Sequence, residues 1–148
     1  MAIVELRFSA LPEHVRTARL VAAAVARRAG VDEAVLDEVR LAVGEACSRA
    51  VGLHVSHGLD TPVRVALIEE EKKFSIEVGD AAPTATAGAR GSTGPAPASS
   101  AASDGEEAES EMGLAVISGL VDDVEVTTDD KGGLIRMSWP VTPEPVLP

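Results

Sequence analysis

Alternation of apolar and polar residues predicts five strands in this chain. At residues 3–8, IVELRF places Val4, Leu6 and Phe8 on one face and Glu5 and Arg7 on the other, the two-residue period of a half-buried strand. Two similar runs, VRVALI at 63–68 and KFSIEV at 73–78, flank a short charged turn and predict an antiparallel hairpin. A fourth strand is expected to start around 124–126, and GGLIRMSW at 132–139 supplies a fifth.

Helical spacing predicts two long helices between the first strand and the hairpin. Pro12 suits a first turn, where its missing N–H costs nothing, and Gly30 is a suitable stop. Asp32 is a natural N-cap for a second helix that runs to about His54. The expected buried positions are Val15, Ala18, Ala22, Val25 and Ala29 in the first helix and Val35, Val39, Ala42, Ala46 and Ala50 in the second.

A long segment without core-forming residues interrupts this pattern. Residues 81–110 contain no Val, Ile, Leu, Met or aromatic residue, so the segment is expected to be disordered or a mobile lid. A short helix marked by Leu114, Ile117 and Val121 follows, and the proline-rich tail at 141–148 is expected to be flexible. The element order predicts one domain over 1–140. Its fold class is α/β, as an α+β two-layer sandwich with a mixed antiparallel sheet and helices on one face.

Composition narrows the function classes. The chain has 148 residues, 45% of them hydrophobic, which suits one core better than two. A formal net charge of -11 disfavours nucleic acid and anionic membranes as partners and favours a protein or small ligand. Because Cys47 is the only cysteine, an intrachain disulfide is excluded. The N-terminus does not have the pattern of a signal peptide. The longest apolar run, at 20–26, is too short to span a bilayer. These features predict a cytoplasmic protein.

Two stretches, VRLAVGEACSRAV at 39–51 and MGLAVISGLVDDVEV at 112–126, carry a family resemblance. They resemble the N-box helix and the second glycine box of the Bergerat-type (GHKL), histidine-kinase-like ATPase domain, and in particular of the small bacterial anti-sigma factors of the SpoIIAB and RsbW type. The resemblance covers roughly residues 2–139. It implies a fold that binds Mg-ATP, phosphorylates a serine on a STAS-fold antagonist and sequesters a sigma factor, as a homodimer formed through the sheet and first helix.

The N-box stretch contains Glu45 and Arg49. In the resembling family this helix presents a glutamate that acts as the base and, four residues later, an asparagine whose carbonyl holds Mg²⁺. Glu45 matches the glutamate, but Arg49 stands at the asparagine position. A guanidinium has donors only and a permanent positive charge, so Arg49 cannot ligate magnesium, which requires oxygen ligands. The resemblance therefore implies a catalytic base without its metal ligand.

The glycine boxes depart from the family pattern as well. Asp80 matches the aspartate that accepts a hydrogen bond from the adenine amino group, while Ala82 replaces a glycine two residues later. In the second box Gly113 is retained at the phosphate-binding helix start, but Glu111 replaces the first glycine and adds negative charge. Gly133 lacks the hydroxyl of the family threonine. The resemblance thus implies a degenerate site that binds ATP or ADP weakly or not at all, without Mg²⁺ held in the family manner.

Arg49 itself leaves two alternatives open. It could pair bidentately with phosphate, which would permit metal-free nucleotide binding. The simpler interpretation is an i, i+4 pair with Glu45 that neutralises a charge costly to bury. His54 matches a family histidine only loosely and is assigned no role. No metal site is expected, because the spacing of Cys47, His54, His57 and Asp60 matches no zinc signature.

Two functions follow from these motifs. The first is an anti-sigma-factor-like regulator of a partner-switching system, which binds a sigma factor, a STAS-fold antagonist or both and phosphorylates neither. The second is an active serine protein kinase of the same family, with Glu45 as base and Asp80 for adenine, which predicts Mg-dependent ATP binding. A catalytic fragment of a sensor kinase ranks last. Fold analogy cannot choose among the three, since one fold hosts many activities.

Overall fold

The computed structural model describes residues 2–82, 114–121 and 123–141 of the chain. Its five strands and three α-helices follow the order expected from the hydrophobic pattern. The strands are β1 (Ala2–Phe8), β2 (Val63–Glu69), β3 (Lys73–Asp80), β4 (Asp123–Asp129) and β5 (Gly132–Pro140). The helices are α1 (Pro12–Ala29), α2 (Leu36–Ser56) and α3 (114–120), with a 3-10 turn at Glu33–Val35.

The strands form one sheet in the order β1-β2-β3-β5-β4, and all four pairings are antiparallel. Alternate side chains of the sheet enter a common core with the inward faces of α1 and α2, so the predicted two-layer fold class is confirmed. Because β5 pairs with β3 in register, the last residue of β3, Asp80, lies opposite Gly133 near the start of β5. This register brings together two parts of the chain that the long segment between them separates.

Local signals set the ends of α1 as predicted. Pro12 occupies its first turn, and Gly30 ends it in the left-handed conformation with φ 103°. The second helix begins later than predicted, because Asp32 caps a 3-10 turn by accepting a hydrogen bond from the Ala34 N–H at 3.0 Å, and α2 starts only at Leu36. Asp32 is therefore a cap, but of the turn that leads into the helix.

Small side chains dominate the contact between α1 and α2. Ala18, Ala22 and Ala26 of α1 and Ala42 and Ala46 of α2 are all buried. Small residues let two helix backbones approach closely, and α2 also packs against β2 and β3. Of the other predicted positions, Val15, Val39 and Ala50 are buried, while Val25, Ala29 and Val35 are partly buried and pack against the core.

The structure corrects one boundary of the predicted flexible tail. Val141, assigned to the tail, is 9% exposed and belongs to the core, and its N–H donates a hydrogen bond to the Lys72 carbonyl at 3.0 Å. The sequence did not predict this contact, because Val141 lies between Pro140 and Pro143 and has no periodic apolar neighbour. Residues 142–148 lie outside the described residues.

Cys47 lies in the core on α2 and is 0% exposed, and burial raises the pKa of its thiol to about 12. The thiolate is the form that reacts with disulfide reagents, so the native thiol is expected to be inert to 5,5′-dithiobis(2-nitrobenzoic acid) at pH 8. Denaturation in guanidinium chloride should expose it and release one equivalent of chromophore. Equal rates of modification in native and denatured protein would contradict this assignment.

Candidate functional site

Asp80, the predicted adenine-recognition residue, is a buried carboxylate at the end of β3. Its side chain is only 3% exposed. Oδ1 accepts hydrogen bonds from two backbone amides, those of Ala82 at 3.0 Å and Gly133 at 3.2 Å. Backbone donors and an ionised carboxylate form charge-assisted hydrogen bonds, which are stronger than neutral ones. The carboxylate therefore fastens the residues that follow β3 to the start of β5.

Arg49 reaches the same carboxylate from α2. Its Nη1 lies 3.8 Å from Asp80 Oδ2, and its side chain is 11% exposed, so the two charges face each other in a largely buried place. Burial lowers the pKa of Arg49, and the Asp80 charge opposes that effect. The expected i, i+4 pair with Glu45 is wrong: the ion pair that the described residues give Arg49 is with Asp80.

The Arg49–Asp80 contact leaves the guanidinium incompletely satisfied. A separation of 3.8 Å is an ion pair but too long for a hydrogen bond. The Arg49 Nε is also buried, and no hydrogen-bond partner for it exists among the described residues. A buried donor left without a partner carries a desolvation cost, so Arg49 is held by charge more than by hydrogen bonds.

Two adjacent glycines make room for Asp80 on β5. A Cβ added to Gly132, whose φ is 148°, would lie 2.0 Å from the Asp80 carbonyl oxygen. A Cβ added to Gly133 would lie 2.9 Å from Asp80 Oδ2. The sequence suggested that Gly133 marks a lost threonine hydroxyl. In the structure its N–H binds Asp80, and its missing side chain leaves the space that the carboxylate fills.

His54, which sequence reasoning left without a role, anchors the residue after Asp80. The ring is 0% exposed; Nδ1 lies 2.9 Å from the Thr61 carbonyl, and Nε2 lies 2.9 Å from the Ala81 N–H. The carbonyl can only accept and the amide can only donate, so we assign the neutral Nδ1–H tautomer. The loose match to a family histidine was the only sequence signal for this position.

The remaining predicted site residues are placed as follows. Glu45 is half-buried on α2, and within the described part of the chain it has no hydrogen bond or ion pair. Ala82 is buried, and since no non-glycine residue in the described ranges has a positive φ, it does not need the conformational freedom of the family glycine. Glu111 and Gly113 lie outside the described residues.

The arrangement brings Arg49, Asp80, Ala82 and Gly133 together and engages both carboxylate oxygens of Asp80. Across the ranges that the structure describes, no group of three or more His, Cys, Asp and Glu side chains could hold a metal ion. Neither α1 nor α2 nor any other described helix has the length and apolarity needed to cross a bilayer. The interactions that the described residues make around the Asp80 carboxylate are one ion pair and backbone hydrogen bonds.

The chain is similar to known proteins in both sequence and structure. The sequence profile of the family described as histidine kinase-like ATPase domain matches residues 8–139. The fold is similar to the structure of the RsbU and RsbW domains of Rv1364c from Mycobacterium tuberculosis, with a TM-score of 0.64 and 14% sequence identity over 100% of this chain. The match covers 35% of that longer chain. No curated protein sequence matches significantly. The sequence motifs that resemble those of RsbW-type proteins thus occur in a chain whose fold is similar to this structure.

Proposed function

Because the chain belongs to the family of histidine kinase-like ATPase domains, we propose that it is an anti-sigma-factor-like regulator in a partner-switching system. In this proposal it binds proteins and has lost or weakened its binding of ATP. Its partners are a sigma factor, a STAS-fold antagonist or both. The observation that carries the proposal is the Arg49–Asp80 ion pair. It places an internal cation against the carboxylate that the family uses for adenine.

Magnesium and adenine both fit this site poorly. Mg²⁺ requires oxygen ligands in octahedral geometry, and Arg49 supplies donors only where the family supplies a carbonyl. Oδ1 of Asp80 already accepts two hydrogen bonds, so an adenine amino group would have to bind Oδ2, which faces the Arg49 guanidinium at 3.8 Å. Binding there would compete with the ion pair, and loss of that pair would leave Arg49 as a largely buried charge without its counter-charge, which is costly. We therefore derive no catalytic step through Mg-ATP.

A groove between α1 and α2 supplies a surface for a protein partner. It is open to solvent, has a volume of about 210 Å³ and is lined by Arg16, Arg19, Leu20 and Arg40. Leu20 is 61% exposed and adds an apolar side chain to the groove. The Arg19 side chain packs close to Gly44 of α2, where no side chain intervenes. A Cβ added to Gly44 would lie 3.0 Å from Arg19 Cδ.

The charge of this groove is opposite to that of the whole molecule. Three guanidinium groups line it, in a chain with a net charge of -11. Arg40 pairs with Asp37, whereas Arg16 and Arg19 have no ion pair within the described residues. Unpaired arginines beside an exposed leucine suit a partner segment that offers carboxylates around an apolar side chain. Such a segment is the partner chemistry that we assign to the groove.

Charge reversal in the groove is the mutational test of partner binding. A native pull-down with mass spectrometry first identifies the partner. Arg16→Glu combined with Arg19→Glu is then expected to weaken its binding by roughly tenfold or more, with a reduced dependence on salt, because like charges would face each other. Isothermal titration calorimetry at two salt concentrations measures this change.

The matched control is the same charge change at the other end of α1. Arg27 and Arg28 are exposed and make surface ion pairs with Glu33 at 3.4 Å and with Glu69 at 3.3 Å. The Arg27→Glu, Arg28→Glu protein should bind the partner within about twofold of wild type, since its charges lie outside the groove. Equal losses in the two double variants would show that net charge, and not the groove, governs binding.

The active-kinase alternative keeps one specific point in its favour. Glu45 is half-buried and unpaired within the described part of the chain, as a general base should be. Titration with ATP, with and without Mg²⁺, separates the two functions. Mg-dependent binding at micromolar nucleotide, with phosphate transfer to a STAS-fold partner, would establish the kinase. No binding at millimolar nucleotide, together with capture of a sigma factor or STAS-fold protein, would establish the regulator.

A further inference from the structure

We propose that the Arg49–Asp80 ion pair is a built-in clamp, which holds residues 80–82 and the start of β5 in one arrangement without any nucleotide. Partner binding then does not depend on nucleotide. This independence of nucleotide rests on the proposed function, whereas the clamp itself concerns this chain alone. Arg49 then stabilises the fold itself, in addition to any effect on ATP binding.

The first support is the convergence of three elements on one side chain. Asp80 ends β3, accepts the Gly133 N–H of β5 at 3.2 Å and faces Arg49 of α2 at 3.8 Å. These elements are separated in sequence and meet at the Asp80 carboxylate, which is 3% exposed. Buried charged groups persist in folded proteins when paired and hydrogen-bonded, so each partner limits the movement of the others.

The second support is a neighbouring anchor from the same helix. His54 of α2 accepts the Ala81 N–H at 2.9 Å while its other nitrogen holds the Thr61 carbonyl. Two side chains of α2 therefore hold the successive residues Asp80 and Ala81, one by charge and one by a hydrogen bond. The segment that a nucleotide would otherwise contact is fixed by groups that belong to the protein.

The third support is that Arg49 is tethered beside Asp80, which favours this pairing over pairing with a free ligand. Arg49 is delivered to Asp80 by the folding of α2, so its pairing costs no translational freedom and has a high effective concentration. A nucleotide or metal in solution pays that cost at each binding event. The same helix also contributes Arg40 to the groove, which links the clamped segment and the groove through one rigid element.

Hydrogen exchange tests the clamp directly on the full chain. The amides of Ala82 and Gly133, which donate to Asp80, are expected to exchange slowly in protein without nucleotide and to be unchanged by ATP at millimolar concentration with Mg²⁺. Arg49→Met should raise their exchange rates about tenfold, because it removes the charge and keeps the volume. The exposed Arg28→Met substitution is the matched control and should leave those rates as in wild type.

Asp80→Asn provides a second variant should Arg49→Met fail to fold. It keeps an acceptor for the two amides but removes the opposite charge, and faster exchange is again expected. Wild-type exchange in these variants would overturn the clamp. So would slowing of the wild-type amides by ATP, since the site would then depend on nucleotide for its order.

The partner identified by pull-down supplies the remaining arm of the test. Its affinity should be the same within about twofold with and without Mg-ATP, and an affinity that requires Mg-ATP would overturn nucleotide independence while leaving partner binding intact. If no partner is captured, the proposed function fails, and the exchange measurements still decide for or against the clamp. The two failures are therefore distinguishable.

Discussion

Replacing Asp80 with alanine is expected to lower the free energy of unfolding by about 3 kcal/mol, as measured by urea denaturation. The variant would leave the Arg49 guanidinium, 11% exposed, without its counter-charge. It would also remove the acceptor of the Ala82 and Gly133 amides. Breaking a buried pair by removing one partner is costly because the other charge stays buried, and this residual charge accounts for roughly 1–2 kcal/mol of the expected loss.

Comparison of Asp80→Ala with a double variant separates that charge effect from the lost hydrogen bonds. In the Arg49→Met, Asp80→Ala protein no unpaired charge remains, so its unfolding free energy should exceed that of Asp80→Ala alone by roughly 1–2 kcal/mol. The amide hydrogen bonds are absent in both proteins and cancel in this comparison. If the double variant is no more stable than Asp80→Ala, Arg49 does not depend on Asp80, and the assignment of the pair as the centre of the site is wrong.

The Arg49–Asp80 pair also shows where sequence reasoning stopped. Positions four apart on one helix are always neighbours, which made Glu45 the natural partner of Arg49. The actual partner follows from the packing of α2 against the sheet, which turns Arg49 toward the end of β3. Hydrophobic periodicity predicts that α2 is buried, but it does not specify which part of a strand a given side chain will reach. Identification of Asp80 as a site residue came from the family motif.

The elements themselves were predictable, because their signals are local. Alternation identified β2 and β3, and Pro12 and Gly30 marked the ends of α1. The role of His54 was not predictable, since its two hydrogen-bond partners, the Thr61 carbonyl and the Ala81 N–H, are backbone groups without a sequence signature. Whether backbone atoms approach a side chain is decided by tertiary packing. The same limit applied to Gly133, whose missing side chain proved to be its relevant property.

Arg49 departs from the family pattern, but it also adds an interaction of its own to the site. If Arg49 only removed a metal ligand, its guanidinium would be expected to turn toward solvent, as arginines usually do. Instead it is 11% exposed and faces the Asp80 carboxylate. Burial of a charge is maintained only when other interactions compensate for its desolvation. The ion pair therefore indicates a site organised around an internal cation, which is the physical basis for expecting protein binding without nucleotide.

Gly132→Ala is expected to have an effect as large as that of Asp80→Ala, with a loss of at least about 3 kcal/mol in unfolding free energy or failure to fold. A Cβ at this position would lie 2.0 Å from the Asp80 carbonyl oxygen, and backbone atoms cannot move aside as a flexible side chain can. Its φ of 148° also disfavours any residue with a side chain. β5 could accommodate alanine only by separating from β3, which would remove the Gly133–Asp80 hydrogen bond as well.

Gly52→Ala is the matched control for this prediction. Gly52 is an exposed residue of α2, and a Cβ added there would meet nothing within 4 Å. Alanine should therefore stabilise the protein by about 0.5 kcal/mol, through higher helix propensity and a less flexible unfolded chain. Thermal and urea denaturation of the two variants should give changes of opposite sign. A Gly132→Ala protein as stable as wild type would mean that β5 does not approach the Asp80 carbonyl this closely, and the geometry that shapes the Asp80 site would have to be revised.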